Sequence, residues 1–307
     1  MPYVTTSSPF TPLPLPPMPC RLVTNVRTSY RELMRWSPVL VQGALLSLIL
    51  LGVALIGLLF DHRTITGMPA FLKPAKFGAS GAVYLLTLAF MVRALPGTRA
   101  LRIASRTISW VLVGETALIF LQAARGQTSH FNINTPLDGA IFSAMGLGIS
   151  AVWVMSAVVL WQHWRTPSSD RALALALRLG LVLNIIGAGT GWLMTQPRPE
   201  QIASIRRGER PFLAGTHTVG APDGGPGLPL LGWSRDHGDL RIPHFLGMHA
   251  LQLLPLLLLG VRRIRGLRDD GVEQITVAVS MLSCSLLFAG ALAQALAGRS
   301  VISLSLR

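Results

Sequence analysis

The chain is poor in charge, and poorest in acid. Only 13% of its 307 residues are Asp, Glu, Lys or Arg, against about 25% in soluble domains. Thirteen acidic residues face 27 basic ones, giving a formal charge of +14. Half of the residues are apolar and the mean hydropathy is +0.51. So little charge cannot cover a soluble surface, so the apolar residues must meet something other than water.

Cysteine is scarce as well. Cys20 lies in the N-terminal tail and Cys284 in a late apolar block. The two should sit at different levels of a membrane, which argues against a disulfide and rules out a thiolate metal cluster. The opening "MPYVTTSSPFTPLPLPPMPC" lacks the charged and apolar regions of a cleaved signal peptide. Its prolines predict an extended, disordered tail. There is no H-E-x-x-H, and no G-x-S-x-G with a plausible triad. "GAGTG" at 187–191 lacks the Lys-Ser/Thr of a phosphate loop and reads as small residues at a helix contact. No basic stripe with interleaved aromatics appears, so the positive charge does not point to nucleic acid.

What the chain has is long apolar runs. Seven of them, at 38–60, 77–92, 107–124, 137–161, 175–194, 244–261 and 275–296, predict membrane helices. They are continuous rather than alternating, which excludes a β-barrel. Fifteen Lys and Arg flank one set of span ends and six flank the other, leaving aside the long fifth connection. Basic residues are retained on the cytoplasmic side, so the N-terminus is expected inside and the C-terminus outside. The expected architecture is therefore an all-α polytopic bundle of about seven spans. Residues 1–37 form a disordered Pro-rich, basic cytoplasmic tail and 38–297 the bundle. Residues 196–243 form a long outer loop or lid, and 298–307 an outer tail. In "NTPLDGA", Thr135 is placed to cap the fourth span, with Pro136 and Asp138 in its first turn.

This topology sorts the polar residues. Six of seven histidines fall on the outer side: His62, His130, His217, His237, His244 and His249. His217 and His237 lie in the polar loop and are expected to be solvent-exposed. His249 lies more than a turn inside the sixth span, where an ionisable group is costly and faces the bundle interior. Glu115 and Gln122 share one face of the third span and are read as a proton-handling pair. Asn184 and Gln252 could meet Glu115, and are read first as interhelical hydrogen bonders. Lys73 and Lys76 in "FLKPAKF", Arg125, His130 and Asn132 in "ARGQTSHFNINTP", and Asp239 and Arg241 before His244 line the same side. A connection of nearly fifty residues containing "LPLLGW" reads as a folded lid, bringing Asp239 and Arg241 close to His244.

The strings "FLKPAKF", "QAARGQTSHFNINTPLD", "GAPDGGPGLPLLGW" and "GDLRIPHFLGMHALQLLPLL" resemble those of a family of uncharacterised bacterial polytopic membrane proteins. The resemblance spans roughly 68–259. It implies one multi-pass domain in a bacterial inner membrane and carries over no catalytic residue.

Three functions fit these residues. The first is a redox protein holding haem or a transition metal through His249 with His62, His130 or His244. In it Glu115 and Gln122 move protons, and Lys73, Lys76, Asn132, Asp239, Arg241 and Gln252 contact the cofactor. The second is a transporter or sensor for a small anionic or lipidic ligand. The third is a non-catalytic subunit of a larger membrane complex. His244 and His249 are five residues apart, about 140° around an ideal helix, so they do not form a metal motif by themselves.

Overall fold

The computed structural model describes residues 26–209, 212–266 and 269–301, with side chains from residue 31 onward. Its long helices are α2 (Pro38–Phe60), α3 (Leu72–Val92), α4 (Arg99–Ala124), α5 (Pro136–Arg165), α6 (Arg171–Met194), α8 (Arg241–Arg265) and α9 (Asp270–Leu296). All seven are long and apolar enough to cross a membrane. The chain is an all-α, multi-pass membrane bundle. The helices run one to several residues past the apolar runs at most ends. They take in flanking polar residues because caps and interfacial groups satisfy the terminal amides. Thr98, Thr135, Asp170 and Asp269 each accept a backbone N–H at a helix start.

The expected disordered tail is corrected at its end, where Val26–Trp36 forms helix α1. Its apolar residues recur at helical spacing, and Leu33, Met34 and Trp36 pack against the core while Arg31, Glu32 and Arg35 are exposed. Residues 1–25, with the Pro-rich stretch and Cys20, and 302–307 of the expected outer tail lie outside the described residues.

Lipid supplies no hydrophobic force between helices, so close packing must hold them together. The glycines of span five show how. A Cβ on Gly187 would lie 2.6 Å from the Gly247 Cα, and one on Gly180 would lie 2.9 Å from the Leu251 Cα. Helices α6 and α8 therefore touch backbone to backbone, and Asn184 Nδ2 donates across the seam to the Met248 carbonyl at 2.6 Å. Leu85, Leu88, Leu181, Leu251, Leu254 and Leu258 fill the interior. Ile49, Leu59, Leu147, Leu256 and Leu286 face outward, as lipid-facing residues should.

The two ends differ. At the arginine-rich end, Arg262 ties three helices, reaching Asp170 at 2.7 and 2.8 Å and Glu273 at 2.9 Å. At the other end the long connection is folded as a lid. It contains α7 (Pro199–Arg206) and the antiparallel pair β3 (Thr218–Val219) and β4 (Gly238–Asp239). The Phe131 carbonyl accepts from Ala214 N, and the Met194 carbonyl accepts from Thr216 N. A second hairpin, β1 (Thr64–Ile65) with β2 (Met68–Pro69), abuts the lid where Gly67 meets Gly224.

Candidate functional site

The lid closes over a polar cluster drawn from α3, α4, α8 and two loops. Helix α3 starts at Leu72 with Pro74 in its first turn, where the missing N–H costs nothing. That start fixes Lys73 and Lys76 under the lid. Lys76 Nζ donates to the Leu231 carbonyl of the lid at 2.8 Å. Lys73 Nζ lies 3.0 Å from His130 Nδ1, and among the described residues it has no other hydrogen bond.

His130 is held by a strained loop. Phe131 has φ +63°, a left-handed value unusual for a bulky residue. The strain persists because Phe131 is buried and its carbonyl is bonded to Ala214. Ser129 Oγ also lies 3.0 Å from His130 Nδ1. With two donors facing Nδ1, that atom accepts and the proton is assigned to Nε2. Nε2 faces Glu115 Oε1 at 3.9 Å. Glu115 is 5% exposed and, among the described residues, makes no hydrogen bond. Its Cα lies ~14 Å below the end of α4, at 1.5 Å per residue, and the loop after α4 reaches back to it through the His130 side chain. Burial pushes the His130 pKa well below its ordinary value, and Lys73 beside it pushes the same way. His130 is therefore a neutral imidazole between an amine and a carboxyl group.

The lid contributes a second dyad. Asp223 Oδ2 receives His217 Nδ1 at 2.7 Å, and Oδ1 receives Thr216 Oγ1 at 3.0 Å and Thr218 N at 2.9 Å. Burial opposes the Asp223 charge, but these bonds, led by His217, hold its pKa well below the usual carboxylate range. Burial lowers the His217 pKa despite the stabilising Asp223. The His217 ring packs on Phe131 with centroids 4.9 Å apart. His217 was expected to be solvent-exposed; the structure instead part-buries it and pairs it within the cluster, because the β3–β4 pairing folds the lid inward.

His244 completes this wall. Its Nδ1 lies 2.9 Å from the Gly187 carbonyl and 3.2 Å from Thr190 Oγ1. The carbonyl can only accept, so Nδ1 carries the proton and Nε2 its lone pair. Arg241 donates to Asp239 through Nε at 2.9 Å and Nη2 at 2.6 Å, and Nη2 also reaches the Gly232 carbonyl at 2.6 Å. Arg241, Asp223, Asp236 and His237 line a cleft of ≈ 270 Å³. Lys73 is within electrostatic reach of Arg241, Glu115, Asp223 and Lys76.

Several expected site residues have other partners. Gln122 does not join Glu115: its Nε2 donates to Asp138 Oδ1 at 3.0 Å, and Arg125 reaches Asp138 at 2.8 Å. The pair secures the start of α5. Asn132 is fully buried and braces its own loop, bonding the Thr128 carbonyl and the Asn134 amide. Gln252 donates to Thr87 across helices at 3.3 Å, an interhelical role like that of Asn184. His249 was expected to face the bundle interior. It is part-buried against the exposed Phe245, centroids 4.3 Å apart, and Phe245 in turn meets Trp233 of the lid. His62 is exposed at the end of α2. Among the described residues no group of three or more His, Cys, Asp or Glu is placed to hold a metal ion.

Sequence reasoning missed His217 with Asp223, and Ser129. The signal available for the dyad was "THTVGAPD", whose Thr, His and Asp are spaced to fold onto one carboxylate. Comparisons of the chain with protein-family models, curated proteins and solved structures returned no match, so the reading of this site rests on its own geometry.

Proposed function

We propose that this protein is a carrier or receptor of a bacterial inner membrane, lid end outward, that binds a small anionic molecule beneath the lid. The observation that carries the reading is Lys73. Its Nζ bears at least two hydrogens, and one His130 nitrogen takes one of them. A donor is left over in a cluster whose carboxylates are otherwise engaged or, like Glu115, held behind the imidazole. Arg241 adds to the positive field, and its Nη1 has no hydrogen bond among the described residues. Lys73 and Arg241 are both only part-buried, so these donors can meet water until an anion takes its place. The test is thermal stabilisation of detergent-purified protein by acetate, lactate, pyruvate and phosphate, since a ligand that binds only the folded state raises its melting temperature. Stabilisation lost in Lys73→Ala supports the reading; no stabilisation by any of them overturns it.

A redox reading has one specific observation in its favour. His217 and His244 both direct Nδ1 at an oxygen and, among the described residues, make no hydrogen bond through Nε2, which is how metal-binding imidazoles are oriented by the oxygen that their other nitrogen bonds. An absorption spectrum with a Soret band, or stoichiometric metal lost in His217→Ala and His244→Ala, would establish it in place of the first.

A further inference from the structure

The chain carries 25 arginines and only two lysines, Lys73 and Lys76, both in "FLKPAKF". Everywhere else that a cation is used, at the caps, the ion pairs and the flanks of the spans, it is a guanidinium. Arginine supplies positive charge and more hydrogen bonds than lysine does. What a primary amine offers and a guanidinium does not is the capacity to shed a proton and act as a nucleophile. Lys76 has a structural use, tethering the Leu231 carbonyl of the lid. Lys73 is half-buried under the lid and bonded to a neutral imidazole rather than to a carboxylate.

We infer that Lys73 is a nucleophilic amine that forms an imine with a small oxo acid bound beneath the lid, where Arg241 lines the cleft and Lys73 stands behind its lining. This deepens the ligand-binding reading and rests on it. In the reaction Nζ adds to the carbonyl carbon, and the C–O bond of the resulting carbinolamine then breaks. Both hydrogens of the amine leave with the carbonyl oxygen as water, so no oxidant, reductant or outside proton is needed to reach the neutral imine. His130 Nδ1, already on one of those hydrogens, relays it to the departing oxygen. The neutral imine then takes one proton from solvent, and Glu115, behind His130 Nε2, supplies counter-charge to the resulting iminium. The ligand's carboxylate falls in the field of Arg241 and Lys76, both of which act on Lys73.

The experiment is reductive trapping. Full-length protein in detergent is incubated with pyruvate and cyanoborohydride, and the peptides are analysed by mass spectrometry. The expected result is a reduced pyruvate adduct on Lys73 with little on Lys76, a comparison within one peptide region that needs no variant. In Lys73→Arg, which keeps the positive charge but has no primary amine, the adduct should vanish. No adduct on Lys73, or equal labelling of both lysines, overturns the inference. If lactate and pyruvate still stabilise the protein in that case, the ligand-binding reading survives without the covalent step. An adduct on Lys73 without stabilisation by any anion would instead retain the amine chemistry and remove the equilibrium binding reading.

Discussion

Gly187 of α6 and Gly247 of α8 meet so closely that a Cβ on either would lie 2.6 Å from the other's Cα. The contact brings His244, three residues before Gly247, against the Gly187 carbonyl. One seam thus packs the bundle and fixes the position of His244 in the polar cluster under the lid.

Gly247→Val should therefore force the two helices apart. Overpacking costs about 1–3 kcal/mol, and more where backbone must move. A lower melting temperature in detergent is expected, with Gly189→Ala as the control because a Cβ there meets nothing within 4 Å. Equal melting of the two variants would refute the seam.

At the opposite end, Arg262 is 10% exposed between Asp170 and Glu273, themselves 8% and 5% exposed. Removing the cation from buried carboxylates costs about 3–5 kcal/mol. Arg262→Met should be strongly destabilising, and Arg262→Lys should recover only part of the loss, because an ammonium cannot make paired bonds to both acids. Full recovery by lysine would show that charge alone matters there.

His130 sets a pH dependence. Its folded pKa is held far below the unfolded value of about 6.5. The unfolded chain therefore binds the extra proton first as pH falls. Stability from this group is complete above about pH 6.5 and declines below it toward the folded pKa. Melting temperature measured from neutral to mildly acidic pH should fall for the wild type and fall less steeply in His130→Gln. His217, also depressed by burial, pulls the same way, so some slope should remain. Parallel curves would exclude His130 as a source.

Orientation can be read from cysteine labelling. Asp236→Cys, exposed on the lid, should react with a membrane-impermeant maleimide in intact cells. Arg106→Cys, exposed near the arginine-rich end, should react only after permeabilisation. Both variants are made in a Cys20→Ser background, because a thiol in the N-terminal tail would itself be labelled, while Cys284 is buried and should contribute little. The reverse pattern would place the lid inside.

The site was partly visible in the residues themselves. Lys73, Glu115, His130, Arg241 and His244 stand out because polar groups beside apolar runs must be accounted for, and they do gather at one end. Gln122 and Asn132 stand out for the same reason yet serve the start of α5 and a loop. Helical periodicity gives a residue's face and not its partner. Asp138, which claims Gln122, is sixteen residues away in another helix. His217 and Asp223 were hidden because a Gly- and Pro-rich loop has no period from which burial can be read.

Sequence alone determined that this chain is a bundle of seven membrane-length helices, because apolar length and the separation of basic flanks are local properties that lipid reads directly. Tertiary structure alone decided that the imidazole of His130 stands between Lys73 and Glu115, that the lid turns His217 inward, and that His249 packs against Phe245 instead. Those outcomes depend on how the 129–131 loop, the β3–β4 pair and the Gly187–Gly247 crossing fit together, and such long-range packing leaves no mark on the local pattern of residues.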